Sequence, residues 1–386
     1  MKRQLQNPIS SRKCRARLIA SFSSGRYARC FIVLLLILVT LMGKQSNSQG
    51  VWQPVASLAP HLNAGVMLLL SDGSVIAVGD SVPYWGKNWD RLTPDSLGSY
   101  VNGTWSSIAD MHDVRLYFSS QVLMDGRVYV GGGEHPFGGT GGQNAETYDP
   151  LTNTWTMAPY TGYYYSDANS EILPDGRVLQ AIVTGGAHQT IIYNPATNNW
   201  NFSPPTHGVH NECTWVKLRD SSILMIDMPT TNSERYIPSL NKWLEDDTVP
   251  ALLYDPYGSE IGPGLLLPDG RAFMIGSTST TAYYMPSGDT SNGIWEAGPI
   301  IPEEKGAPDA GAAMMINGKI LCALSPAPSL FGGIFQHPTS YYEFDYLTDS
   351  FTQIIGPTGN LTVDEPCYFT GMLDLPDGTV LYSDQL

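Results

Sequence analysis

One pattern recurs seven times along this chain: an apolar run, a tight polar turn, and a second β-rich run. The turns are Asp72-Gly73, Asp125-Gly126, Asp175-Gly176, Asp220-Ser221, Asp269-Gly270, Asn317-Gly318 and Asp377-Gly378. A repeat of this kind cannot bury its own faces and must stack on its neighbours, so it constrains the fold more than any composition figure. Asp-Gly and Asn-Gly suit two-residue hairpin turns, whose central residues both take positive φ. Each pair is expected to join strands a and b of one repeat.

A second hairpin follows most of the first ones. Tyr148 to Trp155, Tyr193 to Trp200, Tyr236 to Trp243 and Phe344 to Phe351 each place an aromatic at both ends of a polar turn. Tyr100 to Trp105 is a shorter version, and Tyr284 to Trp295 a longer one. These hairpins join strands c and d, with the aromatics available for packing between neighbours. Four strands per repeat at a period of about 50 residues is the signature of kelch blades. The expectation is an all-β, seven-bladed, kelch-type β-propeller over residues 49–386. Val51 to Val55 reads as an outer d strand without a blade of its own, whereas the last repeat, Tyr368 to Asp384, stops before strand c. The ring would therefore close through the N-terminal strand, with an incomplete final blade.

With 42% hydrophobic and 15% charged residues among 386, the chain can build a large core. Nine of its 21 Lys and Arg residues precede position 50, where there is no acid, and an apolar run from Phe31 to Met42 lies among them. Residues 1–48 have the layout of an export signal, with cleavage expected near Ser48; an uncleaved signal-anchor is the alternative. This run of twelve residues, apolar except for Thr40, falls short of the roughly 17–25 that span a bilayer, so no stable membrane span is expected after cleavage. The remainder carries 12 basic against 36 acidic residues, a formal charge of −24. Such a surface disfavours nucleic acid and favours cations or neutral ligands. The expected location is secreted or cell-surface, as a monomer. Cys213, Cys322 and Cys367 have no CxxC spacing and read as buried, inert thiols.

The b-to-c and d-to-a loops are the longer ones, and all seven histidines fall in them, as do Tyr163 to Tyr165 and Pro326 to His337. Binding groups concentrate on loops held by a rigid scaffold, although polar residues also favour long loops for their own sake. Aligning the repeats on their turns places Asp167, Glu212, Glu260 and Asp309 nine or ten residues before the second turn position. Four consecutive blades thus bring carboxylates to one mouth of the central channel. Clustered carboxylates need a cation, a proton or hydrogen-bond donors, so these four read either as a calcium or polyol site or as caps on backbone N–H groups.

Across residues 51–384 the chain resembles kelch-repeat propellers of the galactose oxidase type. In that family a copper ion is held by two tyrosines and two histidines, one tyrosine being thioether-linked to a cysteine. The segment Arg115 to Val128 resembles the one bearing the linked tyrosine, with Tyr117 at that position. Its cysteine partner would lie near Asn63 and Ala64, but there is no cysteine between positions 31 and 212. In the segment Tyr368 to Gly378, Tyr368 matches the second tyrosine, while Phe369 replaces a histidine and offers copper no lone pair. The second histidine belongs to a C-terminal domain not found here, and His135 matches the tryptophan that covers the crosslink. The resemblance therefore implies a propeller that has lost its copper-radical site.

The ligand-binding face is expected to comprise Tyr117, His135, Tyr164, Asp167, His210, Glu212, Glu260, Asp309 and Tyr368, with no catalytic residue and no cofactor unless calcium occupies the four carboxylates. The partner would be a carbohydrate or an extracellular protein. The alternative is a metal-dependent enzyme with a rebuilt site, for which His207 and His210 beside Glu212 are the ligand-like set.

Overall fold

A computed structural model describes residues 50–61, 64–79, 86–134, 141–185 and 188–384. The export segment expected over 1–48 lies outside the described residues. Among those described, no helix is long and apolar enough to cross a membrane.

Six antiparallel blades span 67–107, 119–157, 170–202, 215–245, 264–297 and 305–363. The second is typical, with strands Ser119–Val122, Val128–Gly131, Ala145–Asp149 and Thr154–Met157 paired in sequence order. The sixth carries two extra short strands, Lys305–Gly306 and Thr362–Val363. Strand a lies innermost, where the a strands of neighbouring blades touch: Met67–Leu69 meets Ser119–Val122 on one side and Thr370–Asp374 on the other. In the first five blades strand b is buried along its whole length, because it is covered on both faces by adjacent blades.

The seven-bladed expectation needs correction. Among the described residues, two paired strands, Thr370–Asp374 and Val380–Asp384, stand between the sixth blade and the first, giving six blades and a two-stranded sheet. The N-terminal segment does not close this gap as a hydrogen-bonded strand. It contributes a side chain instead. Trp52 packs edge-on against Tyr341 and Tyr382, at 5.6 and 5.2 Å between centroids, and its indole N–H donates to Ile355 O at 2.7 Å. Trp155 and Trp200, on the outer strands of the second and third blades, make the same kind of bond to Ala109 O and Pro159 O of the preceding loops. Trp52 therefore plays the part of an outer-strand tryptophan without the strand.

The turn chemistry is also more specific than expected. Only the second residue of each Asp-Gly pair takes positive φ, from 69° at Ser221 to 97° at Gly270. In the first hairpin Gly73 N donates to Leu70 O, and Leu70 N to Ser74 O. The same pair of bonds recurs in all seven hairpins, which defines three-residue loops with a glycine bulge rather than two-residue turns. The Asp or Asn accepts the N–H two residues on, as Asp72 does from Ser74 at 2.9 Å and Asp377 from Thr379 at 3.0 Å. In the outer hairpins Tyr148, Tyr193 and Tyr236 each donate their hydroxyl to the left-handed asparagine five residues on, at 2.7–2.9 Å.

Trp52→Ala removes the aromatic wedge and its hydrogen bond where the ring closes. The expected cost is about 2–3 kcal/mol in urea denaturation, toward the low end for aromatic truncation because Trp52 is only partly buried. An unchanged midpoint would show that the N-terminal segment takes no part in closure.

Candidate functional site

Each d-to-a loop must turn sharply to enter an inner strand, and before five of the inner strands this chain makes the turn with a left-handed residue. Tyr117, Asp167, Glu212 and Asp309 have φ of 46°, 46°, 55° and 51° at equivalent places before the inner strands of the second, third, fourth and sixth blades. In the fifth blade the left-handed residue is Ser259, at 67°, one place before Glu260. A tyrosine or glutamate is uncommon in this region, and such strain gathers at functional sites. Tyr368 stands at the corresponding place ahead of Thr370–Asp374. Six sheets thus present six side chains to one mouth of the channel.

These six residues, with Glu134 and Phe335, line a cavity of about 750 Å³. Asn169, Gln121 and Thr214 add neutral polar residues to its lining. Ligand oxygens of Glu212, Glu260 and Asp309 lie within 4.8 Å of one another. Buried Asp255 accepts backbone N–H bonds from Tyr257, Gly258 and Glu260 at 2.7–2.9 Å, which fixes the loop that carries Glu260. On the opposite side, Arg115 is fully buried and donates to Gly132 O, Asn144 O and Glu146 Oε1 at 2.6, 2.8 and 3.0 Å. Glu134 N donates to Leu116 O at 2.7 Å. These bonds hold Tyr117 and Glu134 on adjoining segments.

Crowding of like charge in a partly desolvated space shifts the carboxyl groups upward. Burial and the neighbouring Glu260 charge push Glu212 up to about 7. Burial and Asp309 push Glu260 to about 8. Asp309 keeps solvent access into the cavity although protein surrounds it on most sides, and burial together with Glu212 raises it to about 7. Asp167 is raised further, by burial and then by Glu134 and Glu212. Burial, with Tyr368 and the acids nearby, raises the Tyr117 phenol and keeps it protonated. The cavity wall therefore shares protons among its acids near neutral pH, and a cation or donor-rich ligand would take their place.

Of the residues singled out from sequence, Tyr117, Asp167, Glu212, Glu260, Asp309 and Tyr368 come together here. Tyr164 is exposed away from the cavity lining, its backbone bridged to Thr184. His210 is not on the face at all. It is wholly buried, 5.7 Å from both Trp215 and Trp243, with Nε2 beside Thr206 Oγ1, and burial followed by His188 pushes its pKa down to about 3. His207 points outward beside Glu234 and Glu245, so His207, His210 and Glu212 form no common set. His135 lies outside the described residues. Glu134 and Phe335 were not singled out individually. Cys213, Cys322 and Cys367 are buried free thiols, all pushed upward by burial.

No protein-family model matches the chain, and no curated protein matches its sequence. Among solved structures, a fungal alcohol oxidase of the AA5 family, in complex with copper, is similar with a TM-score of 0.62 at 17% identity. The match covers 86% of this chain and 71% of the oxidase. At this identity the likeness speaks for the fold, an all-β propeller.

The raised carboxyl groups have a consequence for stability. A carboxyl whose folded pKa exceeds its unfolded value near 4 favours folding below that value and loses the advantage as pH rises through the folded pKa. Wild-type stability should accordingly fall between about pH 4 and 8 in chelator. Glu212→Gln should raise the melting temperature by about 2–5 °C at pH 8 and leave it unchanged at pH 4. An equal change at both values would mean that Glu212 is not under charge strain.

Proposed function

We propose that this protein is a noncatalytic, kelch-type binding propeller that receives a carbohydrate or an extracellular protein partner on its long-loop face, with the channel-mouth cavity as its pocket. The observation that carries this reading is the convergence of equivalent residues from five blades and the two-stranded sheet on one cavity of ligand size. Tyr117 is 38% exposed there, and tyrosines offer broad contact area and a hydroxyl at low entropic cost. The proposed setting is secreted or cell-surface, and the acidic composition supports a soluble partner other than nucleic acid.

Copper fits the described lining poorly. Two phenols, Tyr117 and Tyr368, face the cavity, but no histidine lines it among the described residues. Phe369 is buried with its ring 4.1 Å from that of Tyr368, and a phenyl group has no lone pair for a metal. The Cys213 thiol is pushed up to about 12, far from a thiolate ligand. The reading of a lost copper-radical site rests on these features.

A second reading, a metal-dependent enzyme, is favoured by the close oxygens of Glu212, Glu260 and Asp309, a hard donor set suited to calcium. Elemental mass spectrometry after exposure to copper and calcium and exhaustive dialysis separates the two. Stoichiometric copper would favour the second reading, whereas calcium that Glu212→Gln abolishes would place a calcium site at these acids within the binding reading.

For the binding reading, ligands found on a glycan array or by pull-down should lose at least tenfold in affinity with the Tyr117→Ala, Tyr368→Ala double variant. Ligands that bind both proteins equally would place the binding surface elsewhere.

A further inference from the structure

The cavity has two chemically distinct components. One is acidic: Glu134, Asp167, Glu212, Glu260 and Asp309. The other is aromatic: Tyr117, Phe335 and Tyr368, with the Phe335 and Tyr368 rings 4.4 Å apart between centroids. Among the described lining residues there is no Lys, Arg or His beside Asp167, Glu212, Glu260 and Asp309. Glu260 Oε2 is buried and accepts no hydrogen bond.

We propose that the ligand group seated in this cavity is a protonated alkyl amine, whose ammonium is neutralised by the carboxylates while its N-methylene carbons lie against the aromatic faces. This rests on the cavity being the ligand site. Three alternatives differ in what they leave unused. A bare divalent ion would employ Glu212, Glu260 and Asp309 but fill little of about 750 Å³ and gain nothing from the rings. A neutral sugar could stack on the rings and donate hydroxyls but would leave the acidic component without a counter-charge. An anion would be repelled by the carboxyl groups of Asp167, Glu212, Glu260 and Asp309. An ammonium on a short alkyl chain uses both components, since aromatic faces attract cations and the surrounding acids supply the ion pairs. Such a group arrives either on a free polyamine or on a lysine side chain of a protein partner.

Titration calorimetry at pH 7.5 in 0.15 M salt tests this with four ligands on the wild-type chain from residue 49: spermidine, the peptide acetyl-Gly-Lys-Gly-amide, sorbitol and calcium chloride. Spermidine or the lysine peptide should bind once per chain, at least tenfold more tightly than sorbitol, and remain bound in a calcium concentration equal to its own. Tighter binding of spermidine assigns the free polyamine, and tighter binding of the peptide assigns the lysine of a partner. Both Tyr117→Leu and Glu212→Gln should weaken the amine at least tenfold, each variant first being shown to melt in one transition. Affinity unchanged in Tyr117→Leu, or displacement by equimolar calcium, would overturn the amine in favour of simple charge attraction. Sorbitol binding as well as the amines would overturn it while leaving the cavity as the ligand site. Array or pull-down hits lost with the Tyr117 and Tyr368 double variant, in the absence of any amine binding, would do the same. The wild-type measurements decide the ligand class even if a variant fails to fold.

Discussion

The site depends on one backbone constraint: the long loop that leaves an outer strand must make a final sharp turn into the next inner strand, and here it does so through the left-handed region. Four non-glycine residues, Tyr117, Asp167, Glu212 and Asp309, accept that conformation at the same place in the second, third, fourth and sixth blades. Each such residue costs on the order of 1–2 kcal/mol, which the packed blades around it must offset. A glycine would make the same turn without strain but would leave the channel mouth without side chains. The ring of functional groups and the strain that positions it are thus one feature.

The same blades explain why the strain is sustained. Strand b is buried on both faces, the inner hairpins are pinned by seven Asp or Asn side chains, and indole N–H groups tie outer strands to the preceding loops. Where the seventh blade would stand, two strands and Trp52 complete the circle, and the inner strand Thr370–Asp374 still touches both neighbours. Tyr368 is therefore delivered to the mouth by a sheet half the size of the others.

Much of this was legible in the sequence, because turn residues and side-chain alternation are local signals. The Asp-Gly repeat gave the hairpins, and the constant offset from it aligned the acids. Tyr117 stands nine residues before Gly126, the same offset as Asp167 before Gly176, so its place in the ring was readable without any family resemblance. Other features were not readable. Asp-Gly serves both two-residue and three-residue loops, and the backbone hydrogen bonds that distinguish them are not encoded in the pair itself. His210 sits in a long loop two residues from Glu212, yet loop position does not tell which way a side chain faces, and this one is packed between tryptophans. Glu134 comes from a b-to-c loop with no fixed offset, and only the approach of that segment to Leu116 brings it to the cavity. The count of blades failed for a different reason: two strands and a tryptophan stand where an incomplete seventh blade, closed by the N-terminal strand, was expected.

Asp167, Glu212, Glu260 and Asp309, from four separate loops, are held close enough to share protons. Carbon-detected NMR titration of the chain labelled at its Asp and Glu carboxyl carbons measures this directly. The account predicts that at least two carboxyl groups titrate above about pH 6, well outside the usual range, and that Glu212→Gln lowers the midpoint of a remaining one. All carboxyl groups titrating below about pH 5 would contradict it, because the acids would then be separately solvated and the cavity would hold no concentrated charge.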